Sequence, residues 1–352
     1  MKSGKVLRLL LVLILIRVGT ATVRGEVPET QHSEGQESAT SLAELRRLID
    51  RGQTAAALKR LDVLAAQQPA PSGVQTLRGI ALYAQSDFVD ADAAFALAIK
   101  LNPADQEATQ MRGLTLFRLG KPAEAIPLLE VAHNWTSDTK TDPAYVLALC
   151  YIDARRYDDA RHAFALQYGF APDSAAAYLL AARMMLRREY VPIARDFARK
   201  ALELDSKLPL AHALLGEIAL AGEHVEEAIK EFEEERIRNP LAGGIYDRLG
   251  DAYIRAGDYT KALQALQQAL LLEPNTTGPY ILLGKALLKR EDAVTAAMYL
   301  ERAEKLDANN SMTHNLLAQA YRQLGRADDA KRQNEIAQRL QSANQPHLES
   351  VK

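Results

Sequence analysis

A single cysteine, Cys150, excludes any intrachain disulfide, and no Cys-rich or His-rich tract offers the ligand spacing of a structural zinc site. Cys150 reads as a small buried hydrophobe on a helix. The seven histidines are scattered. No His-Glu-x-x-His occurs, and no Cys–His pairing suggests a nucleophile. Gly278 to Lys285 imitates a phosphate loop only faintly: five residues separate Gly278 from Gly284, and Ala286 stands where Ser or Thr is required. The carboxylates of Glu231, Glu233, Glu234 and Glu235 read as a solvated helix face. Aromatics are scarce, at 6% of the chain with one tryptophan, so a core must come chiefly from leucine and alanine. A basic surplus is missing as well. The formal net charge is −2, which disfavours the clustered Lys and Arg that phosphate contacts need. These absences leave no local constellation for catalysis, a metal, a cofactor or nucleic acid. An enzyme would need a site assembled across distant parts of the chain.

What is present begins with an export-like segment. Lys2, Lys5 and Arg8 make a positive start, Leu9 to Ile16 is an unbroken run of eight aliphatic residues, and Gly19-Thr20-Ala21 supplies small residues for cleavage. The run is far shorter than the roughly 20 residues of a spanning helix. Residues 1–21 therefore read as a signal peptide, with an uncleaved membrane anchor as the alternative, and the mature chain is expected outside the cytoplasm, secreted or periplasmic. Residues 22–40 carry Gly, Pro, Ser, Gln and Glu with few apolar side chains and read as a flexible linker. Ser41 with Glu44 marks the start of the first helix.

From there the chain repeats. Alanines fall at 57, 91, 125, 160, 194, 228, 262, 296 and 330, in steps of 34 with one step of 35. Such a period denotes a solenoid. Twelve residues before the marker is a small residue: Gly79, Gly113, Ala148, Ala182, Gly216, Gly250, Gly284 and Ala318. A helical glycine costs roughly 1 kcal/mol against alanine, so these glycines imply close approach, and the expected partner is the marker alanine itself. Phe or Leu knobs lie four after the marker, small residues seven after, and prolines twelve after, as at Pro240 and Pro274. Gly120, Gly257 and Gly325 fall between the paired helices. The third unit departs from the rest. Pro127 lies inside its second helix, and the stretch after it holds Trp135, which reads as filling a gap in an irregular repeat or as a partner loop. In the ninth unit Asn334 and Gln338 replace the apolar side chains, as suits a terminal helix.

The pattern resembles the tetratricopeptide repeat over residues 41–341, most fully in Gly243–Thr276, where Tyr246, Leu249, Gly250, Tyr253, Gly257, Tyr259, Ala262, Ala269 and Pro274 are all in place. The resemblance implies an all-α fold, a right-handed α-solenoid of about nine 34-residue helix-turn-helix repeats with a concave face made by the first helices. Residues 342–352 form a tail. The function it implies is non-enzymatic: a scaffold binding a protein or extended peptide along that face, with no cofactor and no metal. A membrane-anchored envelope assembly factor is the alternative. Mapped by repeat position, the face presents Tyr83, Phe117, Tyr145 and Leu149 early, together with Ile80, Leu114, Ile152 and Leu179. Later it presents Arg183, Arg187, Glu217, Asp247, Asp251, Arg255, Lys285 and Lys289. His212 and His314 hold the position where Tyr178, Tyr246 and Tyr280 stand in other units, and read as packing residues. The Lys and Asn by which one subgroup grips a C-terminal carboxylate are missing at Tyr145/Leu149, Leu179/Arg183 and Asp247/Asp251.

Overall fold

Small residues at a fixed spacing let two helices approach closely, and a computed structural model shows what occupies the space. The structure describes residues 41–67, 70–132 and 143–343. Among them are 18 helices and no strand. The stretch containing Trp135 lies outside the described residues, as do the export-like segment and the linker.

The chain forms two units. The first, up to Asp87, holds α1 (residues 41–50), α2 (Thr54–Ala65) and α3 (Val74–Ala84) around Leu45, Ile49, Leu61 and Leu77. The second starts at Phe88 with α4 (Phe88–Leu101) and continues through α5 (Gln106–Arg118), α6 (Pro122–Ala132), α7 (Pro143–Asp153), α8 (Tyr157–Tyr168), α9 (Ala175–Arg187), α10 (Val191–Leu204), α11 (Ala211–Ala221) and α12 (Val225–Arg238). It ends with α13 (Gly243–Arg255), α14 (Tyr259–Leu272), α15 (Thr277–Lys289), α16 (Ala293–Leu306), α17 (Ser311–Gln323) and α18 (Ala327–Ala343). In the second unit each helix packs on its sequence neighbours. Odd-numbered helices also touch one another in succession, as α13 touches α15 and α15 touches α17. This is the packing of an α-solenoid.

The glycines work as spacers, but their partner differs from the expectation. A Cβ added to Gly216 would lie 2.4 Å from a ring carbon of Phe232. On Gly250 it would lie 2.4 Å from Leu266, on Gly284 2.4 Å from Leu300, and on Gly113 2.7 Å from Leu129. The residue facing each glycine is thus the knob four after the marker, not the marker alanine. A knob is long enough to reach across the helix pair, whereas an alanine methyl lies too close to its own backbone to do so. The knobs Leu61, Phe95, Leu129, Phe164, Phe232, Leu266 and Leu300 are fully buried. Each contributes about 1.5–3 kcal/mol by leaving water.

The turn inside every helix pair has one backbone signature. Five residues before each marker φ is positive: Gly52, Ser86, Gly120, Arg155, Glu189, Glu223, Gly257, Glu291 and Gly325. Only four of these are glycine, so the repeat imposes a left-handed residue even where the side chain resists it. Pro127 is accommodated inside α6, and Cys150 is buried. The phosphate-loop imitation falls within α15 and is helix, not loop. The acidic run on α12 is not a solvated face. Glu235 is fully buried, Glu231 meets His212 at 2.7 Å, Tyr253 donates to Glu233 at 3.0 Å, and Glu234 pairs with Arg238 at 2.7 Å.

Candidate functional site

The candidate face is built by the odd-numbered helices, which present one stripe at positions 15, 11 and 7 before the marker, a spacing of four that keeps side chains on one side of a helix. In α7 the stripe is Tyr145, Leu149 and Asp153; in α9 it is Leu179, Arg183 and Arg187; in α13 it is Asp247, Asp251 and Arg255. Tyr83 belongs to the first unit, where it is half-buried. Ile80 also belongs to the first unit, packed against its core, and the remaining candidates lie in the second unit.

The apolar half is partly spent on packing. Leu114 and Ile152 are buried in the core and are not on the face. Ile152 lies one step round the helix from the stripe, whereas Leu114 holds a stripe position, 11 before Ala125, and is nonetheless covered. Tyr145 stacks edge-on to Phe164 at 5.8 Å and points its hydroxyl at the Met184 sulfur at 3.9 Å. Phe117 lies under the Arg188 guanidinium at 5.9 Å, and Arg188 in turn pairs with Asp153. Phe117, Tyr145 and Leu149 each keep part of their surface open.

The charged half is joined by links between repeats. Glu217 on α11 takes Arg183 of α9 at 3.4 Å on one oxygen and Arg248 of α13 at 2.7 Å on the other. Asp251 is neutralised by Arg255 at 2.9 Å, one turn on. Asp247 is not. Its Oδ1 is buried without a hydrogen-bond partner, beside Gly278 of α15, where an added Cβ would come within 3.4 Å of Oδ2. Burial raises the Asp247 pKa above the ordinary carboxylate value. Arg248 opposes the rise, and Asp251 and Glu273 add to it. Arg187, Lys285 and Lys289 make no ion pair or hydrogen bond among the described residues. The residues sequence reasoning missed are Arg248 and Gly278. Arg248 lies one position beside the stripe and Gly278 three residues before the first stripe position of the following repeat, and a search by stripe position passes both over.

Among the described residues no group of three or more His, Cys, Asp or Glu is placed to hold a metal, and no helix is long and apolar enough to cross a membrane.

Two models of the tetratricopeptide repeat match residues 145–209 and 244–276. A model of the anaphase-promoting complex, cyclosome, subunit 3 matches residues 88–166. No curated protein matches the chain. Among solved structures the chain is similar to a MamA fragment from Desulfovibrio magneticus RS-1, at 18% identity and a TM-score of 0.46, over 49% of this chain and 98% of that one. It is similar to YrrB, described as a TPR protein with an unusual peptide-binding site, at 22% identity and a TM-score of 0.42, over 49% of this chain and 89% of that one. It is also similar to a chain of the APC/C hetero-tetramer Cut9-Hcn1, at 18% identity and a TM-score of 0.43, over 84% of this chain and 57% of that one. The repeated left-handed turn, the knob facing each spacer glycine and the two matched segments agree on one family: this chain is a tetratricopeptide-repeat protein.

Proposed function

We propose that the chain is a noncatalytic scaffold that holds a protein partner, as an extended segment, along the stripe of its odd-numbered helices. The partner's apolar side chains would meet Tyr145 and Leu149 on the stripe and the half-open Phe117 one position beside it, and a mixed-charge stretch would follow against Arg183, Arg187, Asp247, Asp251, Lys285 and Lys289. The observation that carries this reading is the polar surplus on that stripe. Arg187, Lys285 and Lys289 take no part in the fold's ion pairs, and Asp247 keeps an unpartnered oxygen. Charged groups held at repeat-equivalent positions and not used by the fold are free to read a ligand.

The test replaces Asp247 and Asp251 by lysine in one variant, and Tyr145 and Leu149 by alanine in another, each with its folding checked by circular dichroism. Both variants should lose the crosslinks that wild-type protein forms with its native partner. Unchanged crosslinking in both would reject the groove. The proposed setting is outside the cytoplasm after removal of residues 1–21. A mature N-terminus near Thr22 supports release, and a retained Met1 supports the membrane-held alternative.

A further inference from the structure

Four helix pairs of the second unit bring together two positions 19 residues apart, one on the first helix and one on the second. Tyr178 meets Phe197 with ring centroids 5.4 Å apart, His212 meets Glu231 at 2.7 Å, Tyr280 meets Tyr299 at 6.3 Å, and His314 meets Gln333 at 2.5 Å. In the α13–α14 pair Tyr246 holds the position opposite Ala265, and its hydroxyl donates to the Pro240 carbonyl at 2.9 Å. The α7–α8 pair has alanine at both positions, Ala144 and Ala163. A cavity of about 400 Å³ lies there.

We propose that this cavity is a second recognition site, which takes an aromatic side chain carrying an N–H or O–H donor (tyrosine or tryptophan) from a protein partner. Its floor is apolar: Leu147 is buried, and Ala144 and Ala163 supply the gap that a ring fills in other pairs. Its rim is polar, with Asp159, His162 and Gln167 lining it. Asp159 gives Oδ2 to Arg156 at 2.6 Å, and its Oδ1 makes no hydrogen bond among the described residues. That oxygen complements a donor on the edge of an incoming ring. At the mouth Leu166 is 71% exposed, an apolar surface that favours a side chain delivered by a protein. The corresponding cavity in the α13–α14 pair keeps the apolar Leu249 and Ala265, but Tyr246 stands there in place of Ala144, and Arg236, Lys261, Gln264 and Gln268 wall it. The site is independent of the groove, since it uses positions of α7 and α8 that the stripe does not.

The test titrates methyl-labelled full-length protein with N-acetyl-tryptophanamide and follows the Leu147, Ala163 and Leu166 methyl resonances. Saturable shifts are expected at all three. Ala144→Tyr, which restores the ring found in other repeats, and Ala163→Leu, which closes the gap from the other wall, should each abolish them while the fold is retained. N-acetyl-phenylalaninamide on wild-type protein, and the tryptophan probe on Asp159→Asn, should each bind about tenfold more weakly, the scale of one hydrogen bond to a charged acceptor. Free tryptophan should bind more weakly than its capped form. Absence of shifts in wild-type protein, or equal shifts in either plugged variant, would overturn the site. Shifts that emerge only in Trp135→Ala would show the cavity filled from within the chain. Tighter binding of free tryptophan would overturn the assignment to a protein side chain.

Discussion

The amide of Leu210 donates to Oε1 of Glu235 at 3.1 Å, and Leu210 is the one non-glycine residue of positive φ outside the repeat turns among the described residues. Leu210 precedes α11 and offers that helix no side-chain cap. Glu235 supplies the cap from α12: its Oε2 accepts from the Ala213 amide at 3.3 Å, and Asn239 donates to the same Oε1 that takes Leu210. A buried carboxylate at a helix N-terminus satisfies donors the helix cannot satisfy itself and sits at the favourable end of the dipole. Glu235→Ala should therefore cost about 2–3 kcal/mol, the scale of hydrogen bonds to a charged group. Chemical denaturation measures the loss, and amide exchange should accelerate first at Leu210 and Ala213. An effect under 0.5 kcal/mol would mean that water replaces the cap.

The turns give a prediction of opposite sign. Glu291 is exposed, has φ of 63°, and makes no ion pair among the described residues. A side chain in the left-handed region costs about 1–2 kcal/mol, and glycine removes that cost while adding some freedom to the unfolded chain. Glu291→Gly should raise stability by about 0.5–1 kcal/mol. A melting temperature at or below that of the parent would show that the turn tolerates glutamate without strain.

The spacer glycines are the reverse case. A methyl on Gly216 would collide with the fully buried Phe232 ring. Alanine gains roughly 1 kcal/mol of helix propensity, but overpacking costs about 1–3 kcal/mol. Ala148 holds the equivalent position in its own pair, with Phe164 as the knob, so a methyl there is compatible with the repeat, and the net loss for Gly216→Ala should fall near 1–2 kcal/mol. Gly216→Ala combined with Phe232→Leu should recover part of it, because the shorter knob leaves room. Thermal melts of the three proteins decide the matter.

The period, the helix pairs and the knobs could be read from spacing alone, because a 34-residue repeat fixes which positions are equivalent. Spacing does not say which equivalent position faces which. Gly216 was matched to Ala228 when it faces Phe232, since opposition across a helix pair depends on side-chain reach. Glu235 was legible in principle: it stands seven after the marker, where Ala98, Ala132, Ala201, Ala269, Ala303 and Ala337 stand in other repeats. A charged residue in a register reserved for small ones is the signal, and reading it within an acidic run concealed it. In the groove, Arg183 and Asp251 were found, but their partners were not all foreseen. The Arg183–Glu217 link crosses between repeats, and a helix-by-helix reading sees only links within a helix.

Asp247 gives a pH-dependent prediction. Its carboxylate is partly buried with an oxygen unpartnered, and burial raises its pKa above the ordinary aspartate value of 3.8. Arg248 opposes that shift, while Asp251 and Glu273 reinforce it. A raised pKa means that the folded chain holds the proton more readily than the unfolded one. The stability tied to that proton is fully present below pH 3.8 and is lost as pH rises through the raised value. At pH 7 the charged Asp247 is therefore a net cost to the fold. Asp247→Asn should raise the melting temperature at pH 7, and the gain should shrink to nothing as pH falls below 3.8. The same variant should bind the partner less well if Asp247 meets a positive group, so stability and binding would move in opposite directions. Such a split is what a residue kept for recognition at the expense of stability produces. A gain that persists unchanged at pH 3 would place its origin in packing instead of charge.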